Sequence, residues 1–154
     1  HSIYERVLTS MKRIITVRGM VIKDGKMYAQ RLKTGDGEND FWCTPGGKLD
    51  EHESLLDGLQ REMIEETGVR AEIGKLLFMQ QFDDGENEFL EFFYEIKNAD
   101  DYEHVDLSAT THGELEVSRH GFIDPKVERV LPECISELDL ENLGSQDVSL
   151  FSYL

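Results

Sequence analysis

Between Pro45 and Val69 the chain leaves itself little choice of local structure. Pro45-Gly46-Gly47 breaks whatever strand precedes it. Ser54 then offers a side-chain oxygen to the free N–H groups of a new helix. Gly68 is the matching stop, since glycine readily takes the left-handed conformation that closes a helix. The spacing predicts a helix from Ser54 to about Thr67, with Glu62, Glu65 and Glu66 in its last turns. At roughly 100° per residue, Leu55, Leu56, Leu59 and Met63 cover the core-facing arc. Glu66 falls inside that arc, Glu62 beside it and Glu65 further round. A solvated acidic face accounts for Glu65 well and Glu62 tolerably, but not for Glu66. A carboxylate turned toward a core costs several kcal/mol unless it is paired or bound to a metal. Acidic residues late in a helix also meet the negative end of its dipole. A hard divalent cation, which favours oxygen ligands, removes both penalties.

The residues upstream suit the same reading. Gly46 and Gly47 allow a carbonyl to be turned toward an ion. Glu53, near the helix start, is a further carboxylate within reach. Arg61 is the only cation among these acids on the helix. As a surface ion pair it would contribute little; as a tether it would orient a glutamate such as Glu53.

Around this segment the chain alternates between strands and helices. Residues 14–22 are rich in β-branched side chains and read as a buried strand. Lys23-Asp24-Gly25-Lys26 is a hairpin turn, Met27 to Leu32 the returning strand, and 33–40 a polar loop. Phe41-Trp42-Cys43 is a short strand or edge. Residues 71–82 and 88–96 read as two strands joined by a hairpin at 83–87. Residues 97–112 are acidic and irregular, and Glu114 to Ile123 alternates as a further strand. Lys126 to Leu138 reads as an amphipathic helix, its apolar face made of Val127, Val130, Leu131, Cys134, Ile135 and Leu138, with Pro132 kinking it or delaying its start. The expected fold is α/β, with helices packed on a mixed sheet. At 154 residues the chain is one domain over 1–154, with 1–11 and 144–154 as loosely ordered ends.

Charge and cysteine content narrow the partners. A net charge of −16 repels phosphate backbones, so duplex nucleic acid is not an expected partner. It also repels an anionic small molecule unless bound cations or local basic residues neutralise the site. Cys43 and Cys134 stand in neither a zinc spacing nor a CxxC pair, and read as reduced thiols of a cytoplasmic protein. No apolar run reaches the roughly 20 residues that span a membrane, and no secretory signal is visible.

The positions Gly47, five residues, Glu53, seven residues, Arg61-Glu62, Met63, one residue, Glu65-Glu66, one residue, Gly68, Val69 resemble the Nudix box, with each defining position filled. Asp50 and His52 stand where many members carry Glu and Gly. The resemblance implies an α/β/α sandwich with a mixed β-sheet. It implies a hydrolase that cleaves a pyrophosphate bond in a nucleoside diphosphate linked to another moiety. By the same resemblance Glu62, Glu65 and Glu66 hold Mg²⁺ or Mn²⁺, Glu53 assists, and the Gly46 carbonyl joins them. The partner is a small nucleotide, and a homodimer is compatible with the family.

In that chemistry cations neutralise the substrate and lower the pKa of bound water, and a carboxylate takes the proton. Glu62 is one candidate. Glu114 and Glu116, sharing one face of the run Glu114-Leu115-Glu116-Val117-Ser118, are the others; His112 is a weaker one. Arg31 and Arg18 are candidate phosphate contacts, and Trp42, Phe41 and Phe82 candidate stacking partners for a base. Gly85, Glu86 and Asn87 stand where ADP-ribose and dinucleoside polyphosphate subfamilies carry a proline or tyrosine. A nucleoside triphosphate or a nucleotide sugar remains. Two other readings share the fold: a nucleotide-binding module without turnover, and an isopentenyl diphosphate isomerase-like enzyme using Cys43.

Overall fold

A computed structural model describes residues 11–154, so the expectation for the first residues, Met11 apart, lies outside the described part. The elements in chain order are β1 (Lys12–Lys23), β2 (Lys26–Thr34), β3 (Gly37–Glu38), β4 (Gly46–Lys48), α1 (Leu55–Thr67), β5 (Ile73–Asp83), β6 (Asn87–Ile96), the short α2 (Gly113–Glu116), β7 (Val117–Ile123) and β8 (Ser149–Ser152). Short 3-10 segments connect several of them, notably Glu133–Glu137 and Leu140–Ser145.

The apolar run predicted at 14–22 becomes the axis of the molecule. Successive side chains of a strand point to opposite faces. Val17 and Val21 of β1 therefore enter one core, and Met20 enters the other. β1 turns into β2 through Asp24 and Gly25, both at positive φ, as a tight hairpin between right-twisted strands requires. On its other side β1 runs parallel to β6, and β6 runs antiparallel to β5. β8 adds to β5 in parallel, β4 to β1 and β7 to β2 in antiparallel. Among the described residues this is a mixed eight-stranded sheet.

Each face is covered differently. On one, α1 lays Leu59 and Met63 against Val17, Val21 and Tyr28. Ser54 accepts the N–H of Asp57 at 3.1 Å at its start, and Gly68 at φ 74 donates to Ile64 at its end. On the other face the 3-10 segments bring Cys134, Ile135, Leu140 and Leu143 onto Met20, Met27 and the stacked pair Phe78 and Phe93, whose ring centroids are 4.2 Å apart. The result is the expected α/β/α sandwich.

Three local expectations are corrected. Lys126–Leu138 is not an amphipathic helix: Val130 bridges to Trp42, Leu131 donates to the Trp42 carbonyl at 3.0 Å, and Glu133–Glu137 is 3-10. Pro132 removes a donor and drives Leu131 out of the helical region. Cys134 and Ile135 still reach the core, but Val127 is 78 % exposed. The strand expected from Glu114 begins only at Val117. Thr110 caps the Glu114 N–H through its hydroxyl at 2.9 Å, and His112 accepts from Leu115 and Glu116, which bends the chain into a helical turn first. Leu56, expected in the core arc, is 49 % exposed, while Gly58 takes the buried place against Leu49 and Glu53. The loop at 33–40 holds one small addition, the hairpin of β3 on the end of β2. No helix among the described residues is long and apolar enough to cross a membrane.

Candidate active site

The loop before α1 is pinned to β1 by register: Thr16 faces Lys48, Val17 faces Gly47 and Arg18 faces Gly46. Gly46 is required there. Its φ is +146, and a Cβ would come within 2.0 Å of the Val17 carbonyl oxygen. Its N–H points at the last turn of α1 and donates to Glu66 Oε2 at 2.7 Å. Glu66 is buried, as the helical wheel required. Its carboxyl is pushed up to about 8: burial is the main cause, Glu62 and Glu116 add repulsion, and Arg18 and the Gly46 N–H only partly oppose this.

Arg61 organises the rest of the acidic cluster. It grips Glu53 at two points, Nε to Oε2 at 2.8 Å and Nη2 to Oε1 at 2.9 Å. Its other contacts are Glu62 at 3.0 Å, Glu65 at 3.1 Å, Asp50 at 3.2 Å and the Lys48 carbonyl at 3.0 Å. The Arg61 fork and the Asp50 N–H hold the Glu53 carboxyl down to about 2. Glu62 is pushed upward by burial, against the pull of Arg61. Glu65 also meets His112 Nδ1 at 3.1 Å. Among the described residues no three acidic, histidine or cysteine side chains converge on one point. Glu62 and Glu65 face Arg61, and Glu66 faces Gly46.

A second polar cluster lies on the opposite face of β1. Thr16 is level with Glu91 across the β1–β6 pair, and Gln80 is level with Glu91 across β5–β6. Residues opposite each other share a face, so all three meet. Glu91 Oε2 accepts from Thr16 Oγ1 and from Arg18 Nε, both at 2.9 Å, and Oε1 accepts from Gln80 Nε2 at 2.6 Å. Burial would raise this carboxyl, but Arg18, Gln80 and Thr16 outweigh it and hold it below the usual range. Arg18 also donates to the carbonyls of Thr44 at 2.9 Å and Gly46 at 3.3 Å. One guanidinium thus links the two glutamate sites.

Arg18, Gln80 and Glu91 border a cavity of about 470 Å³. Its apolar wall includes Phe41, Phe82, Phe93 and Pro132. The structure therefore brings Arg18, Phe41 and Phe82 to one cavity, with Phe82 stacked on Phe89 at 4.8 Å. Trp42 is placed elsewhere, in the core, with the guanidinium groups of Arg31 and Arg119 over its ring at 5.8 and 5.4 Å. Arg31 is tied to Glu38 at 3.2 Å and to the Asn39 carbonyl at 3.0 Å. Glu114 and Glu116 are exposed, and the charge of Glu116 reaches Glu66. Cys43 borders the cavity as a neutral thiol, pushed up by burial and donating to the Gln30 carbonyl at 3.4 Å.

Glu91, Gln80 and Thr16 are absent from the sequence reading. The signal was there: Glu91 interrupts the phase Phe89-x-Glu91-x-Phe93, and a charge in the apolar phase of a strand needs a partner. Arg18 breaks β1 in the same way.

Known proteins resemble this chain in two ways. Over 60 residues it is 38 % identical to an 8-oxo-dGTP diphosphatase of Buchnera aphidicola subsp. Schizaphis graminum, covering 39 % of this chain and 46 % of that protein. Over 71 residues it is 31 % identical to a CTP pyrophosphohydrolase of Escherichia coli, covering 46 % of this chain and 53 % of that protein. The chain thus spans about half the length of these curated relatives. In three dimensions it resembles the solution structure of the E. coli ORF135 protein, with a TM-score of 0.69 over 89 % of this chain and 95 % of that one, at 20 % identity. That likeness is one of fold. The sequence pattern of the NUDIX domain matches residues 13–129, from β1 to the turn beyond β7, and this chain belongs to the NUDIX family.

Proposed function

We propose that this protein is a Mg²⁺- or Mn²⁺-dependent hydrolase that cleaves a pyrophosphate bond in a nucleoside diphosphate linked to another group, such as a nucleoside triphosphate or a nucleotide sugar. The observation that carries this is the Glu66 carboxylate, buried at the junction of α1 and Gly46 with a single N–H donor and two acidic neighbours. A carboxylate in that state is short of positive charge. The donor set around it is all oxygen, which is the chemistry of a hard divalent cation. Glu62, Glu65 and Glu66 would hold the ion, with the Gly46 carbonyl and Glu53 in support. The bound ion would neutralise substrate charge and lower the pKa of water.

This chain's own groups then have separate tasks. Arg61 keeps Glu53 charged and holds both Glu53 and Glu65 in place. Arg18 is committed to Glu91 and to two carbonyls, so neither arginine is free to neutralise a polyphosphate by itself. On a chain of net charge −16 that is a further argument for an added cation. For the general base Glu116 is favoured over Glu62 and Glu114. It is exposed, its charge reaches Glu66, and it carries no ion pair among the described residues, whereas Glu62 is held by Arg61. The aromatic cavity beside Arg18 would take the base, which fits the nucleotides that the names of both relatives specify.

The test is a panel of nucleoside triphosphates, nucleotide sugars and dinucleotides, assayed for coupled phosphate release with Mg²⁺ or Mn²⁺ and again in chelator. Turnover of at least one class, abolished by chelator, is the expected result. Ion binding without turnover of any member would point instead to the non-catalytic binding module.

A further inference from the structure

The NUDIX match ends at residue 129, yet the cavity does not. Leu131, Pro132, Glu133 and Tyr153 all border it, and all four lie beyond the match. The last of these is held there by β8. That strand pairs in parallel with β5, Phe151 packs edge-on against Phe78 with centroids 5.9 Å apart, and the Tyr153 N–H donates to the Gln81 carbonyl at 2.8 Å. Tyr153 keeps half of its surface exposed even so.

The polar groups of this cavity are not equally available to a ligand. Both oxygens of Glu91 are already used by Gln80, Thr16 and Arg18. Arg18 likewise spends Nε on Glu91 and Nη1 on the Thr44 and Gly46 carbonyls. Glu133 is different: it borders the cavity, is exposed, and its carboxylate makes no hydrogen bond or ion pair among the described residues. A carboxylate only accepts hydrogen bonds.

Resting on the hydrolase reading above, we propose that residues 131–153 are the base-selecting wall of the site. In this wall Glu133 accepts a hydrogen bond from the exocyclic amino group of the base, and the Tyr153 ring stacks on the base. A carbonyl in place of that amino group would face the carboxylate with its own lone pairs. The site therefore selects amino-bearing bases over their oxo counterparts.

Two near-isosteric pairs isolate this contact: CMP against UMP, and AMP against IMP. Each pair exchanges an amino group for a carbonyl at the same place. As monophosphates they contain no pyrophosphate bond, so their affinities, measured by titration calorimetry, report on the base wall whether or not the protein hydrolyses anything. CTP against UTP then repeats the comparison in turnover. The expected result is a preference of roughly tenfold for the amino member of a pair that binds. Glu133→Gln, whose amide also donates, should reduce that ratio to about one, and Glu133→Asp should restore part of it. Glu137→Gln, also exposed and outside the cavity, should leave the ratio unchanged. Tyr153→Ser should weaken both members of a pair together by roughly tenfold, and Tyr153→Phe should not. A wild-type ratio near one, a ratio that survives Glu133→Gln, or no binding of any monophosphate overturns the proposal. A selective protein that turns over none of the substrate panel overturns the hydrolase reading and leaves the wall intact.

Discussion

Glu66 and Glu91 are both buried, and both feel the same guanidinium, that of Arg18. Their carboxyls are nevertheless displaced in opposite directions. Glu91 sits on β6 between two strands in register and receives donors from both, Thr16 and Arg18 from β1 and Gln80 from β5. Its charge is fully answered within the protein. Glu66 sits where a helix end meets a glycine turn, receives one backbone N–H, and is repelled by Glu62 and Glu116. Burial is common to the two, so burial is not what sets the direction of the displacement. The supply of donors is.

The largest test of this contrast is Glu66→Gln. It should lower turnover roughly 100- to 1000-fold, about 3–4 kcal/mol in the barrier, with a folded protein left behind. An active Glu66→Gln enzyme would sink the assignment of this residue to the ion. Glu91→Ala should instead show itself in stability. Removing the carboxylate strands the partly buried Arg18 charge, and the urea midpoint should fall by the equivalent of about 3 kcal/mol. If the two substitutions produced the same phenotype, the contrast would be wrong.

The third test uses pH. In metal-free protein Glu66 is raised from 4.5 to about 8, so the folded state holds a proton that the unfolded state has already released. Stability should therefore fall as pH rises from 5 to 8, by about 2 kcal/mol once relaxation around the buried group is allowed for. Added Mg²⁺ should recover it at pH 8, and Glu66→Gln should flatten the profile. Glu91 has the opposite sign. Its lowered carboxyl contributes stability above its ordinary 4.5, and that contribution is lost as acid protonates it. Denaturation midpoints at pH 3, 5 and 8 in chelator separate the two. The smallest effect is expected from Arg61→Lys. It keeps the charge but loses the two-point grip on Glu53, and activity should fall about tenfold. A loss as large as that of Glu66→Gln would place Arg61 closer to the reaction than its contacts suggest.

The α1 site was largely legible in the sequence because its information is local. Ser54 as cap, Gly68 as stop, the buried Glu66 and the Arg61–Glu53 tether all follow from helical spacing within one short segment. The Glu91 network was not legible, since it depends on which residue of β1 lies beside which residue of β6, more than 70 positions away. Segment 126–138 failed for a related reason. Its apolar spacing matches a helix, but Trp42 offers its backbone a bridge, and Pro132 removes the helical alternative. Glu114 and Glu116 alternate like a strand, yet Thr110 and His112 capture their N–H groups first.

By itself, then, the sequence determined the family, the mixed α/β architecture and the carboxylate helix, because a filled motif and a helical period are carried by neighbours along the chain. The tertiary structure alone decided that Arg18 joins two glutamates, that Trp42 is core while Phe41 and Phe82 reach the cavity, and that a wall of that cavity comes from beyond the matched domain. Those outcomes rest on strand register and on close approach between distant segments, which no local pattern encodes.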